Sequence, residues 1–214
     1  MTGQSLRILI ADDHAILRHG LREMLADHFP GARFGEAGTS QETLDQVRKR
    51  PWDILVLDIS MPGPSGLEFL ARIKQAQPKP PVLVLSVHPE DQYALRALEA
   101  GAAGYITKDK ASAELVAAVK TVVAGGKHVS HAVVQKLAAR LPGQTVKLPH
   151  ESLSNREYQV VRMIASGQSL RQIAQQLSVS PQTISTHRAR ILEKLGLQTT
   201  AALIRYAVQN KLVE

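Results

Sequence analysis

The sequence predicts an α/β doubly wound domain built on a five-stranded parallel sheet, followed by an all-α four-helix domain. Three observations predict it. Short Val/Ile/Leu runs alternate with helical patterns through the first 125 residues. Those runs are continuous rather than polar–apolar alternating, as in strands covered on both faces. Beyond about residue 150 only helical spacing is left, and the charge balance changes with it. Residues 1–125 hold 14 Lys+Arg against 15 Asp+Glu, whereas residues 126–214 hold 12 against 4.

The expected strands are 6–11, 33–37, 53–58, 81–87 and 104–107. Between them Leu17, Leu21, Met24 and Leu25, and later Leu95, Leu98 and Ala102, recur at i, i+3/i+4 intervals, the signature of helices with one apolar face. Five such βα units make a doubly wound sheet. Thr39-Ser40-Gln41-Glu42 offers a capping-box start for the second helix. The pattern breaks at Gly125-Gly126. The expected division is a first domain over 1–125, a linker over 126–150 with a helix at 132–141, and a helical domain over 151–214. In the last part, Ser154-x-x-Glu157 and Ser169-x-x-Gln172 are capping boxes, and Ser180-Pro181 places an N-cap before a proline at the first helical position. Thr199 or Thr200 caps a final helix running to about Asn210.

Composition narrows the function. The chain has no cysteine, which excludes disulfides and thiolate metal sites. Apolar runs such as Val82-Leu83-Val84-Leu85 fall far short of the ~20 residues of a membrane span. The run Ile8-Leu9-Ile10-Ala11 stops at Asp12-Asp13, unlike a signal peptide. A cytoplasmic location is therefore expected. The net charge of +7, concentrated in the second half, points to a polyanionic partner for that half.

In an open parallel sheet, ligands bind beyond the carboxyl ends of the strands. The polar residues there are Asp12 and Asp13 after the first strand, Asp58 closing the third, Ser86 closing the fourth and Lys108 past the fifth. Converging carboxylates need a cation among them, and hard oxygen donors favour Mg²⁺. A carboxylate beside Mg²⁺, with an ammonium and a hydroxyl aimed at the same spot, suits phosphoryl transfer.

Residues 6–124 resemble the receiver domain of a two-component response regulator, on Asp12-Asp13, the motif Leu57-Asp58-Ile59-Ser60-Met61-Pro62-Gly63, Ser86, Tyr105 and Lys108. The resemblance implies that Asp58 accepts a phosphoryl group from a sensor histidine kinase. It makes Asp12 and Asp13, with Asp58 and the Ser60 carbonyl, the Mg²⁺ ligands. Ser86, Tyr105 and Lys108 become the switch: Ser86 and Lys108 move to the phosphoryl oxygens and Tyr105 rotates inward, changing the surface of the fourth helix and fifth strand. One departure is Lys108-Asp109, where many receivers have Lys-Pro with a cis peptide. Such a domain is not an enzyme beyond promoting its own phosphoryl transfer and dephosphorylation. A Mg²⁺-dependent phosphohydrolase with an aspartyl nucleophile is the competing class, but it usually carries an acid where this chain has Ser60. A third class is a DNA-binding protein with a vestigial receiver.

In the basic half, Ile173, Ala174 and Leu177, the turn Ser178-Val179-Ser180, and Ile184, Ile191 and Leu195 have helix-turn-helix spacing. Gln182, Ser185, Thr186, Ala189 and Arg190 lie on other faces of the third helix, fit to enter a major groove. Residues 152–213 resemble the LuxR-type helix-turn-helix domain on Leu153-Ser-x-Arg-Glu157, Ile164-Ala-x-Gly167, Ile173-Ala-x-x-Leu177, Ser180-Pro-x-Thr183-Ile184, His187 and Lys194-Leu195-Gly196. The whole chain is thus similar to NarL/FixJ-subfamily response regulators. The resemblance implies double-stranded promoter DNA as partner, with Ser185, Thr186 and Ala189 facing bases and Arg171, His187 and Lys194 on phosphates. Gln182, Thr183 and Arg190 complete the expected contact set. Ser185 stands where lysine is usual, and Arg188 and Arg190 are expected to compensate on phosphates. Family precedent puts homodimer contacts, made on phosphorylation, on the last helix at Ala201, Ala202, Leu203, Arg205 and Tyr206. The remaining histidines, His128 and His131 included, are expected to face solvent, and Arg156 and Glu157 to form a structural pair.

Overall fold

The expected runs all become strands, four of them almost entirely buried and the one at 33–37, at the sheet's edge, largely half-buried. The computed structural model describes residues 5–61, 66–138 and 148–213. Its strands are β1 (Arg7–Ala11), β2 (Arg33–Ala37), β3 (Ile54–Asp58), β4 (Val82–Ser86) and β5 (Gly104–Thr107). All pair in parallel, in the order β2-β1-β3-β4-β5. The β3 run starts one residue later than expected, and the Asp53 carboxylate before it accepts from the amide and guanidinium of Arg7.

Helices α1 (Ala15–His28) and α5 (Ala111–Val123) cover one face. There Leu21, Leu25, Leu115 and Val119 join Ile8, Ile10, Val56 and Leu83 in a single buried cluster. Leu9, Leu55, Leu57 and Val84 are equally buried and alternate to the opposite side of the pleat. Helices α2 (Ser40–Lys49), α3 (Gly66–Ala76) and α4 (Glu90–Glu99) pack in sequence, α2 against β2 and α4 against β5. Thr39 caps α2 by accepting from the Glu42 amide, but the Glu42 carboxylate accepts from Gly38 rather than closing the expected box on Thr39.

After β5 comes a 3-10 turn over Lys108–Lys110. The Lys108–Asp109 peptide is trans; among the described residues the cis bond is Lys79–Pro80. Helix α6 (His131–Ala138) follows, and its expected continuation to residue 141 lies outside the described residues. The chain divides into two units, 1–141 and 142–214. Helix α6 packs on α4 with Val133 buried, so this part of the stretch expected as linker lies within the first unit.

The second unit holds a 3-10 turn (Pro149–Ser152) and helices α7 (Asn155–Ala165), α8 (Leu170–Gln176), α9 (Pro181–Leu195) and α10 (Thr200–Gln209). Both expected capping boxes close, Ser180 caps α9 ahead of Pro181, and Thr199 caps α10. Helix α9 ends on Gly196 at φ +66°, a left-handed position that favours glycine. Among the described residues no helix is long and apolar enough to cross a membrane.

Candidate functional site

Because all five strands run the same way, the ends of β1, β3, β4 and β5 share one rim, and the expected residues meet there. Asp12 and Asp58 are almost fully buried. The Lys108 ammonium lies 2.7 Å from Asp12 Oδ2 and 2.7 Å from Asp58 Oδ2, bridging two carboxylates that would otherwise repel. The Ser60 amide donates to Asp58 Oδ1 at 2.7 Å. Burial pushes the Asp58 carboxyl above its ordinary value and Asp12 adds to this, while Lys108 and the Ser60 amide act against them. Burial alone would lower Lys108, but its bonds to Asp12 and Asp58 outweigh it and hold the ammonium protonated.

Asp13 is partly exposed beside them, and the sequence reading missed its neighbour His14. The His14 amide donates to Asp12 Oδ1 at 2.8 Å, turning the chain from β1 into α1. Its Nδ1 lies 2.9 Å from Asp13 Oδ1 and 3.2 Å from Asp12 Oδ1. Donor atoms of Asp12, Asp13, His14 and Asp58 all fall within 4.8 Å of one another. One ammonium against three converging carboxylates leaves a donor set that fits a small, hard divalent cation.

Ser86, fully buried, accepts from the His88 amide at 3.1 Å. The Tyr105 hydroxyl donates to the His88 carbonyl at 2.8 Å, so the two expected switch residues hold the same residue, one at its amide and the other at its carbonyl. Tyr105 is 1% exposed. It already occupies the inward position that the sequence reading reserved for the phosphorylated state. The His88 ring stacks on Tyr93 with centroids 4.4 Å apart. Two further histidines depart from the expected solvent-facing role: His128 Nε2 lies 3.8 Å from a Glu114 oxygen, and His150 Nδ1 lies 3.0 Å from the Tyr206 hydroxyl.

In the second unit Ile173, Ala174, Ile184 and Ile191 bury the seam between α8 and α9. Val179, in the turn between them, is half-buried. Gln182, Thr186, Ala189 and Arg190 of α9 and Arg171 of α8 are exposed, while Ser185 and His187 are half-buried. Thr183 is committed locally, its amide and hydroxyl both on Ser180 Oγ. Lys194 Nζ lies 2.6 Å from Glu157 Oε2. Burial works to raise Glu157, but Lys194 and the Ser154 amide and hydroxyl together hold its carboxyl below the ordinary value. Arg156 and Glu157 thus have separate structural partners, since Arg156 donates to the Leu177 carbonyl and to Gln159. Arg188 donates to the Thr200 hydroxyl at 3.4 Å.

One expected contact is corrected. Leu203 is fully buried, with α10 packed on α7, so it belongs to the core and cannot face a partner. Ala201 and Arg205 are exposed, Ala202 and Tyr206 half-buried, and Val208 leaves 54% of its surface exposed on the same helix.

Two family models match: "Response regulator receiver domain" over residues 8–120, and "Bacterial regulatory proteins, luxR family" over 151–207. The response regulator GacA of Pseudomonas viridiflava is 36% identical over 210 residues, covering 98% of each chain. The response regulator UvrY of Escherichia coli is 32% identical over 208 residues, covering 97% of this chain and 95% of that one. Among solved structures, RcsB from Salmonella enterica serovar Typhimurium, bound to promoter rprA with the phosphomimetic BeF3-, aligns with a TM-score of 0.64. It is 26% identical, over 94% of this chain and 98% of that one.

Proposed function

The chain belongs to the two-component response regulators that join a receiver to a LuxR-type helix-turn-helix domain, the NarL/FixJ subfamily, and from that membership we propose the residue roles that follow. Residues 1–125 are the receiver and 151–214 the DNA-binding domain; 126–150 joins them, with its first part, through α6, docked on the first unit. The protein is a transcription regulator controlled by phosphorylation, working in the cytoplasm, where its DNA lies. Asp58 accepts the phosphoryl group from a sensor histidine kinase. The observation that carries this is the Lys108 ammonium, 2.7 Å from both Asp58 and Asp12 at the shared rim.

Mg²⁺ held by Asp12, Asp13, Asp58 and the Ser60 carbonyl would neutralise charge on the transferring group. An Asp58 oxygen attacks phosphorus; the new O–P bond forms as the donor's P–N bond breaks and its imidazole leaves with the bonding pair. Lys108 then exchanges one carboxylate partner for phosphoryl oxygens, and the Ser86 hydroxyl donates to another. Hydrolysis of the same acyl phosphate resets the protein, and no other turnover is assigned to it.

In the helical domain Ser185, Thr186 and Ala189 face bases, with Gln182 and Arg190 beside them. Arg171, His187 and Lys194 take phosphates, Lys194 by leaving or sharing Glu157. Thr183 acts chiefly by shaping the start of α9. The bound promoter in the RcsB structure supports this use of the domain. Because one recognition helix covers a short site, a homodimer formed on phosphorylation doubles the contact. The exposed side of α10 at Ala201, Ala202, Arg205 and Tyr206 is its candidate face.

The test is incubation of the full chain with acetyl phosphate and Mg²⁺, followed by peptide mass spectrometry. The expected result is one phosphoryl group on Asp58, absent without Mg²⁺ and absent in Asp58→Asn. Uptake by Asp58→Asn at the normal rate would overturn the assignment.

A further inference from the structure

We propose that residues 127–134 are a strap through which the phosphorylation state of Asp58 reaches the tether of the helical domain. This rests on the reading of Asp58 given above. β5 is an edge strand, with backbone groups open on one side. The segment after α5 fills that side: the His128 amide donates to the Ala103 carbonyl at 3.0 Å, and the Tyr105 amide donates to the His128 carbonyl at 2.9 Å. A Cβ on Gly104 would stand 2.7 Å from the His128 carbonyl oxygen and 2.9 Å from Leu83, so glycine permits the approach.

Two further ties hold the strap. Lys127 Nζ donates to the Ala102 carbonyl at 2.7 Å. The Ser130 amide donates to Glu90 Oε1 at 2.8 Å, and Val133 is buried where α6 packs on α4.

What distinguishes the strap from simple edge protection is where it is anchored. Tyr105 is held at both ends, its hydroxyl on His88 beside Ser86 and its amide on His128. Glu90 is the first residue of α4, two positions past His88. Both anchors are therefore elements that the state of Asp58 biases: an outward Tyr105 would loosen the strap, and the inward Tyr105 that an aspartyl phosphate favours keeps it docked. A docked strap here accompanies an inward Tyr105, so the state that favours one favours the other. Docking holds α6 against α4 and fixes the point from which the chain departs toward the helical domain.

The test is hydrogen exchange on the full chain, with Asp58 occupancy read by mass spectrometry in the same samples. Protection of the His128 and Ser130 amides is expected to rise several-fold on phosphorylation with acetyl phosphate and Mg²⁺. Val133→Asp and Glu90→Ala should take up phosphoryl at the wild-type rate while losing both this change and the phosphorylation-dependent gain in DNA affinity. Full occupancy of Asp58 with unchanged exchange, or a wild-type DNA response in both variants, would overturn the strap. If Asp58 takes up no phosphoryl group at all, it is the reading of the pocket that fails, and the strap with it.

Discussion

Glu157 shows how a single side chain can serve two ends of a domain. Its carboxylate closes the α7 capping box on the Ser154 amide and receives Lys194 from α9, 37 positions along the chain. Its carboxyl is held below the ordinary value, so the folded state binds this proton more weakly than the unfolded state does. The stability it contributes is complete above the unfolded value of about 4.3 and is lost as pH falls through the lowered folded value. Glu157→Gln should destabilise the helical domain by about 1–3 kcal/mol at neutral pH and remove that part of the acid sensitivity. Urea unfolding of both proteins across the acid range checks it. Asp12, Asp58, Ser86 and Lys108 were legible in the sequence because each closes or follows an apolar run. His14 and His88 were not, because their roles come from backbone groups that approach only after β1 and β4 have turned into their helices.

Helix starts were legible at the scale of elements because a cap is a local bargain between a side chain and an amide three residues on. Ser180 makes two such bonds, to the amide and the hydroxyl of Thr183. Ser180→Ala should cost about 1 kcal/mol and loosen the start of α9, lowering DNA affinity together with thermal stability. The two sides of α10 were harder to read, since Leu203, Tyr206 and Val208 are all large residues within one and a half turns. Packing on α7 decides between them. Leu203→Ala should destabilise the domain by about 2–5 kcal/mol, whereas Val208→Asp should leave the unfolding midpoint unchanged and weaken self-association in sedimentation experiments. The strap over 127–134 was invisible as an element. A single bridge beside β5 needs no apolar run, and its Gly104 contact spans 24 positions.

For the whole molecule, the partition of charge matches the partition of chemistry: the acidic rim lies in the near-neutral part and the exposed α9 face in the basic part. Binding to duplex DNA should weaken linearly in log affinity against log salt, each phosphate-bound cation adding about 0.9 to the slope. Arg171→Ala should reduce that slope by about one, measured by fluorescence anisotropy over a salt series. On the proposed reading, phosphorylation of Asp58 controls where the helical domain sits on DNA. Genome-wide occupancy maps from cells carrying the wild type or Asp58→Ala, grown under the same kinase-activating condition, test this. A discrete set of promoters bound by the wild type and lost or strongly weakened in Asp58→Ala is the predicted result. Identical maps for the two proteins would contradict it.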